Sequence, residues 1–201
     1  MDAEVVVDRV EPGIPGPIGW TAYQVRYPLF SGRLSDPMRY EIGSASDTVA
    51  ALLHHRNSDR VVLVEQFRPG ALALEAAGPV SGRPDLLWQT EVVAGTLARG
   101  AVPEAAIRQE IEEETGCEIT ELRSRSVFFA NPALMDSRVY LFYAAIRELP
   151  TATLRGRQDE GEDIRVLTLS AAEAIARARN GKFHNALTIL ALSLFANDRA
   201  G

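Results

Sequence analysis

Residues 93–117 read VAGTLARGAVPEAAIRQEIEEETGC, and most of the architecture follows from parsing this stretch. Val93-Ala94-Gly95 ends a strand-like run, a loop carrying Arg99-Gly100 follows, and a helix then begins. Pro103 suits the first helical position, and Glu104 beside it favours the positive end of the helix dipole. Ala105, Ala106, Ile107 and Ile111 supply the apolar positions, and Gly116 suits the residue just past the end. The spacing therefore predicts a helix over 103–115. Within it, Glu110 and Glu114 lie one turn apart on one face, with Glu113 also beside Glu110. Glu112 points elsewhere, four residues after Arg108. A solvated acidic face is the bland explanation for such a run. Against it, these glutamates sit in the last turns, where the dipole disfavours negative charge, and they repel one another. The helix has no lysine or arginine on that face to offset them. A hard divalent cation would, because Mg²⁺ prefers carboxylate oxygen and bridges to substrate phosphate.

Outward from this centre the chain alternates strands and helices. Strands are expected at 5–7, 20–30, 38–42, 48–53, 61–64 and 87–93, and later at 126–130, 139–145 and 164–169. Helices are expected at 171–180 and 185–196. Arg56-Asn57-Ser58-Asp59 reads as a turn between two buried strands, and 69–86, rich in Gly and Pro, as a long surface loop. The class is α/β, with residues 1–45 a small β-rich unit and 46–201 the main domain.

Composition limits the function classes. The chain has 201 residues, 46% hydrophobic and 24% charged, as in an ordinary folded protein. The single cysteine, Cys117, excludes a disulfide framework and a cysteine-based zinc site within one chain. The net charge of −6 argues against non-specific nucleic-acid binding. No apolar run reaches the roughly 18 residues needed to cross a bilayer, and the acidic start, Met1-Asp2-Ala3-Glu4, is unlike a signal peptide. The expectation is a cytoplasmic protein with no membrane or nucleic-acid partner.

The segment Gly95 to Cys117 resembles the Nudix box: Gly, five residues, Glu, seven residues, then Arg-Glu-apolar-any-Glu-Glu-any-Gly-apolar. Gly95, Glu110, Ile111, Glu113, Glu114, Gly116 and Cys117 fall in register. Two positions depart, Ala101 for the first Glu and Gln109 for the Arg. In the family these two commonly pair to brace the loop against the helix, so both partners of that brace are missing together. Val61 to Arg68, Glu91 to Gly95, Asn131-Pro132 with Asp136-Ser137-Arg138, and Asp159 to Ile164 resemble the ADP-ribose pyrophosphatase branch.

The resemblance implies a Nudix α/β/α sandwich around a mixed sheet, preceded by the small β subdomain. It implies a metal-dependent hydrolase of a diphosphate bond, using Mg²⁺ or Mn²⁺. The Ala94 carbonyl, Glu110 and Glu114 would hold metal, with Glu113 nearby or bridging a second ion. Glu160 would act as general base, with Glu113 the other catalytic carboxylate, and Glu162 as a further metal-linked acid. Arg68 would meet a phosphate or the terminal sugar. Tyr40, with its neighbour Arg39, would reach the nucleotide base, and Ser137 stands in the altered substrate loop. The implied substrate is ADP-ribose or a related nucleoside diphosphate sugar, GDP-mannose being the alternative. A nucleotide-sensing module that hydrolyses nothing is the non-enzymatic alternative. A homodimer is implied by the branch.

Overall fold

The computed structural model describes residues 5–13, 18–71, 86–157, 159 and 161–200. The expected loop at 69–86 lies partly outside these residues, and Glu160 lies outside them. The chain forms two compact units. One comprises Met1–Asp47 with Phe128–Val139, and the other Thr48–Val127 with Tyr140–Gly201. Phe128–Val139, read from sequence as part of the main domain, thus groups with the N-terminal unit.

The first unit carries a three-stranded antiparallel sheet of β1 (Val6–Pro12), β2 (Gly19–Arg26) and β3 (Met38–Ser44). Its register pairs Tyr23 with Val10 and Tyr40, and Val25 with Val7 and Met38. Paired residues share a face. One face is therefore apolar, and the other bears Arg9, Glu11, Arg39 and Glu41. The second strand stops at Arg26, short of the expected residue 30, because Leu29 and Arg33 close a turn there.

The second unit holds most of an eight-stranded sheet, in the order β10 (Leu154–Arg155), β11 (Ile164–Ser170), β5 (Arg60–Phe67), β4 (Asp47–His55), β9 (Arg138–Ile146) and β8 (Ile119–Phe129). Off this path, β6 (Trp88–Glu91) pairs with β5 and β7 (Val93–Leu97) with β4. Sequence had predicted a single strand over 87–93. The break falls at Val92, whose amide donates to Thr188 Oγ1 at 3.0 Å instead of joining a ladder. The strand β8 begins at Ile119 rather than 126. Its first half carries Thr120, Glu121 and Arg123, a polar alternation that suits a sheet edge but leaves little apolar signal.

Helix α1 (Pro103–Thr115) covers one sheet face. Ile107 and Ile111 are fully buried with Val62, Val64, Val93 and Phe142, and each such side chain contributes about 1.5–3 kcal/mol. Helices α2 (Ala171–Arg179) and α3 (Ala186–Ala200) cover the other face, where Phe195 meets His54 and Tyr143 edge-on. The hydroxyl of Ser170 caps α2 by accepting from the Glu173 amide, and Asn185 Oδ1 does the same for α3 at Thr188. The result is an α/β/α arrangement.

Candidate metal centre

Helix α1 starts with Pro103 and ends at Gly116, whose φ of 66° is the left-handed conformation glycine tolerates best. This termination leaves the carboxylates on the last two turns. Glu112 is exposed, as its place on the helix requires. Glu114 is buried at 2% exposure. Its pKa is pushed up to about 8, first by burial and then by the nearby charges of Glu110 and Glu162. Arg68 and the Ala94 amide, which donates to the carboxylate, pull in the opposite direction. Even so, Glu114 Oε2 is buried with no hydrogen-bond partner. An unsatisfied buried carboxylate oxygen is costly unless a ligand completes it.

Gly95 explains how the helix comes so close to β7. A Cβ at this position would overlap the Glu110 carboxyl group. The glycine is thus required by Glu110 packing over the strand, a close approach that the sequence pattern alone did not explain. Ala94 contributes its N–H to Glu114, and its carbonyl is the group expected to hold metal.

Glu113 has partners of its own. Its Oε1 accepts from Gln109 Nε2 at 2.9 Å and lies 4.0 Å from Arg157 Nη1. The residue in the family's arginine position therefore holds one of the box glutamates. Arg157 also donates to Asp159 Oδ2 at 2.7 Å, and its backbone N–H donates to Glu162 Oε2 at 3.1 Å. The expectation that nothing basic offsets the acidic face holds for the helix itself, whose last turn has no basic residue. It fails for the fold, because β10 and the chain just after it bring arginines from a distance. Arg155 packs its guanidinium over Gly116, at the negative end of α1.

Arg68 makes a bidentate pair with Glu91, its Nε donating to Oε1 at 3.0 Å and its Nη2 to Oε2 at 2.6 Å. The Glu91 side chain is only 3% exposed, against 39% for Arg68. Burial works against the Arg68 charge, but Glu91, Glu114 and Glu162 together raise its pKa. Register places Val64 and Gln66 of β5 on the face covered by α1, together with Glu91, and Arg68 follows the strand directly. The role of Glu91 was missed, although an acid inside an apolar strand is the kind of signal that marks a buried pair.

Among the described residues no three His, Cys, Asp or Glu side chains form a ready-made metal cage. Mg²⁺ does not need one, since it is usually held by one or two carboxylates, with waters and substrate phosphates completing the shell. The orphaned Glu114 oxygen and the adjacent Glu110 and Glu162 fit that requirement. A concavity of about 580 Å³ lined by Glu65, Trp88, Arg165 and Lys182 opens elsewhere on the second unit. Register puts Glu65, Trp88 and Arg165 on the sheet face opposite Glu91 and α1. Its Glu65–Arg165 pair is mutually satisfied, so the chemistry is assigned to the carboxylates.

The other sequence-derived candidates lie on the first unit. Arg39 and Tyr40 are neighbours on β3 and face opposite sides of the sheet. Arg39 pairs with Glu41 at 2.5 Å, and the Tyr40 hydroxyl lies 3.4 Å from that of Tyr27. Ser137 is half-buried between Asp136, which accepts from Ser44 Oγ at 2.6 Å, and Arg138, paired with Asp47 at 2.7 Å. All these belong to the first unit. Trp20 and Trp88 are 42% and 49% exposed. Cys117 is buried, as expected of a core position.

The NUDIX domain model matches residues 46–187. The ADP-ribose pyrophosphatase of Escherichia coli (strain K12) is 31% identical over 170 residues, covering 85% of this chain and 77% of that protein. The ADP-ribose pyrophosphatase of Haemophilus influenzae is 28% identical over 169 residues, 84% of this chain and 75% of the relative. A GDP-mannose pyrophosphatase of Citrobacter koseri is 31% identical over 153 residues, 76% of this chain and 75% of the relative. Among solved structures, an ADP compounds hydrolase superposes with a TM-score of 0.69 at 16% identity, covering 96% of this chain and 93% of the other.

Proposed function

Because the chain belongs to the NUDIX domain family, we propose that it is a pyrophosphohydrolase that cleaves the diphosphate bond of ADP-ribose or a related nucleoside diphosphate sugar. Water adds to one phosphorus, the bridging P–O bond breaks, and a nucleoside monophosphate and a sugar phosphate leave. The observation that carries this reading is the buried, unsatisfied Glu114 Oε2 beside Glu110 and Glu162.

Glu110, Glu114 and Glu162 would hold divalent metal, Mg²⁺ or Mn²⁺, which supplies charge neutralisation at the diphosphate and a more acidic bound water. The rest falls to the protein. The Ala94 amide orients Glu114, Gln109 and Arg157 hold Glu113, and Glu91 fixes Arg68 with its guanidinium close to the acidic centre. Glu160, two residues before Glu162 in the sequence, is the proposed general base.

The sugar nucleotides named in the relatives support a diphosphate sugar over other nucleotides, with GDP-mannose as the second reading. The proposal extends to a homodimer formed through the apolar face of the N-terminal sheet. That sheet leaves Val7, Val10, Met38 and Tyr40 exposed, which a lone small sheet does not tolerate well. The net charge of −6 supports a small-molecule substrate over nucleic acid. No described helix is long and apolar enough to cross a membrane. The single cysteine favours a cytoplasmic site of action.

The test is incubation of the pure protein with ADP-ribose, GDP-mannose, NADH and diadenosine polyphosphates, each with Mg²⁺, Mn²⁺ or chelator. Metal-dependent release of AMP and ribose 5-phosphate from ADP-ribose is expected. No metal-dependent monophosphate release from any of them would defeat the reading and favour a sensing module.

A further inference from the structure

Arg157 lies just after β10, in the connection that leads to Glu162 and β11. Its groups reach in three directions. The guanidinium donates to Asp159 within the connection, through Nη2 at 2.7 Å and Nε at 3.3 Å. The same guanidinium approaches Glu113 of α1, with Nη1 4.0 Å from Oε1. The backbone closes on Glu162 twice: Arg157 N–H donates to Glu162 Oε2 at 3.1 Å, and Glu162 N–H donates to the Arg157 carbonyl at 3.0 Å. Gly156 precedes it at φ 102°, with its α-carbon against the Glu162 backbone, where an added Cβ would be crowded at 3.0–3.2 Å.

We propose that Arg157 is a positioning residue that fixes the β10–β11 connection, and with it the Glu162 carboxylate, against the acidic face of α1. The physical case is simple. Glu110, Glu113, Glu114 and Glu162 repel one another, and no basic residue stands in the last turn of α1. Arg68 supplies one cation near Glu114 and Glu162, and the Arg157 guanidinium adds a second beside Glu113, so that losing it would leave the connection carrying Glu162 less firmly held to the helix. A guanidinium suits this position because it is planar, permanently charged and able to serve two carboxylates at once. Gln109, which takes one bond of Glu113, is neutral and cannot supply the charge. Arg157 touches no substrate in this account and acts through Glu113 and Glu162.

The inference rests on the proposed hydrolase reading, so its test includes readouts that need no turnover. The variants are Arg157→Ala and Arg157→Lys, with Arg165→Ala as a control whose salt bridge to Glu65 sits on the opposite sheet face. Arg157→Ala is expected to lower kcat about 10- to 100-fold, the range for groups that orient ligands, with KM changed less than about threefold. Mn²⁺ affinity should weaken by a similar factor, and amide exchange at Glu162 and its neighbours should quicken. Arg157→Lys should recover part of the kcat and the Mn²⁺ affinity, which separates a charge effect from loss of fold. The control should leave all of these within about twofold. Wild-type kcat, Mn²⁺ affinity and exchange in Arg157→Ala would overturn the inference, as would a loss shared equally by the control. If the wild-type protein hydrolyses nothing, the functional reading fails. The exchange and Mn²⁺ data then still decide whether Arg157 holds the connection.

Discussion

Glu114 is the residue on which the account turns. Its carboxyl is held protonated far above the usual carboxylate range, with a pKa of about 8 against an ordinary 4.5. The folded state keeps this proton while the unfolded chain releases it. The metal-free protein therefore loses stability as pH rises from about 4.5 through 8. Glu114→Gln should flatten that slope, measured as urea midpoints at pH 6 and 9, while lowering turnover about 100-fold or more. An unchanged slope would show that Glu114 does not hold its proton with a raised pKa in the folded state. Arg68 provides a contrasting case. Truncating it to Ala strands Glu91, whose side chain is only 3% exposed. We expect a loss of about 2–4 kcal/mol in urea unfolding, somewhat below the cost of breaking a fully buried pair, because Arg68 is partly solvated. Removing both charges with Arg68→Met and Glu91→Leu should cost less than removing one.

At the scale of elements, α1 and its flanks were the most legible part of the sequence. The pattern that identified the helix, Pro103 at its start and Gly116 at its end, is local, and local rules sufficed. Glu110 and Glu114 were placed on one face by spacing alone. Glu113 was grouped with them, and its partners are Gln109 on the same helix and Arg157, a charge that comes from far along the chain. The break at Val92 was illegible for the same reason, since its amide partner is Thr188. Two glycines give a test of this element. Gly95→Ala forces a methyl into the Glu110 carboxyl and should displace it, lowering activity more than stability. Gly116→Ala places an alanine at φ 66° and against Arg155. It should cost about 1–2 kcal/mol in thermal or urea unfolding. If Gly95→Ala were as active as wild type, the packing of α1 on β7 would not set the position of Glu110.

For the whole molecule, the α/β class could be read from the alternation of strands and helices, whereas Met1–Asp47 falls in a compact unit together with a later segment. The inclusion of Phe128–Val139 in that unit could not be read in this way, because it depends on long-range pairing such as Gly43 with Met135. The amphipathic N-terminal sheet predicts self-association. Val10→Glu on its apolar face should convert a dimer to a monomer in sedimentation, and a wild-type protein that is already monomeric would remove this part of the proposal. The central claim is that the carboxylate face of α1 binds a divalent cation. It is tested most directly by titrating Mn²⁺ into the wild-type protein and Glu114→Gln, followed by electron paramagnetic resonance. The account predicts saturable binding by the wild type that weakens about 100-fold or more in the variant. Equal binding by both proteins, or none by either, would contradict it.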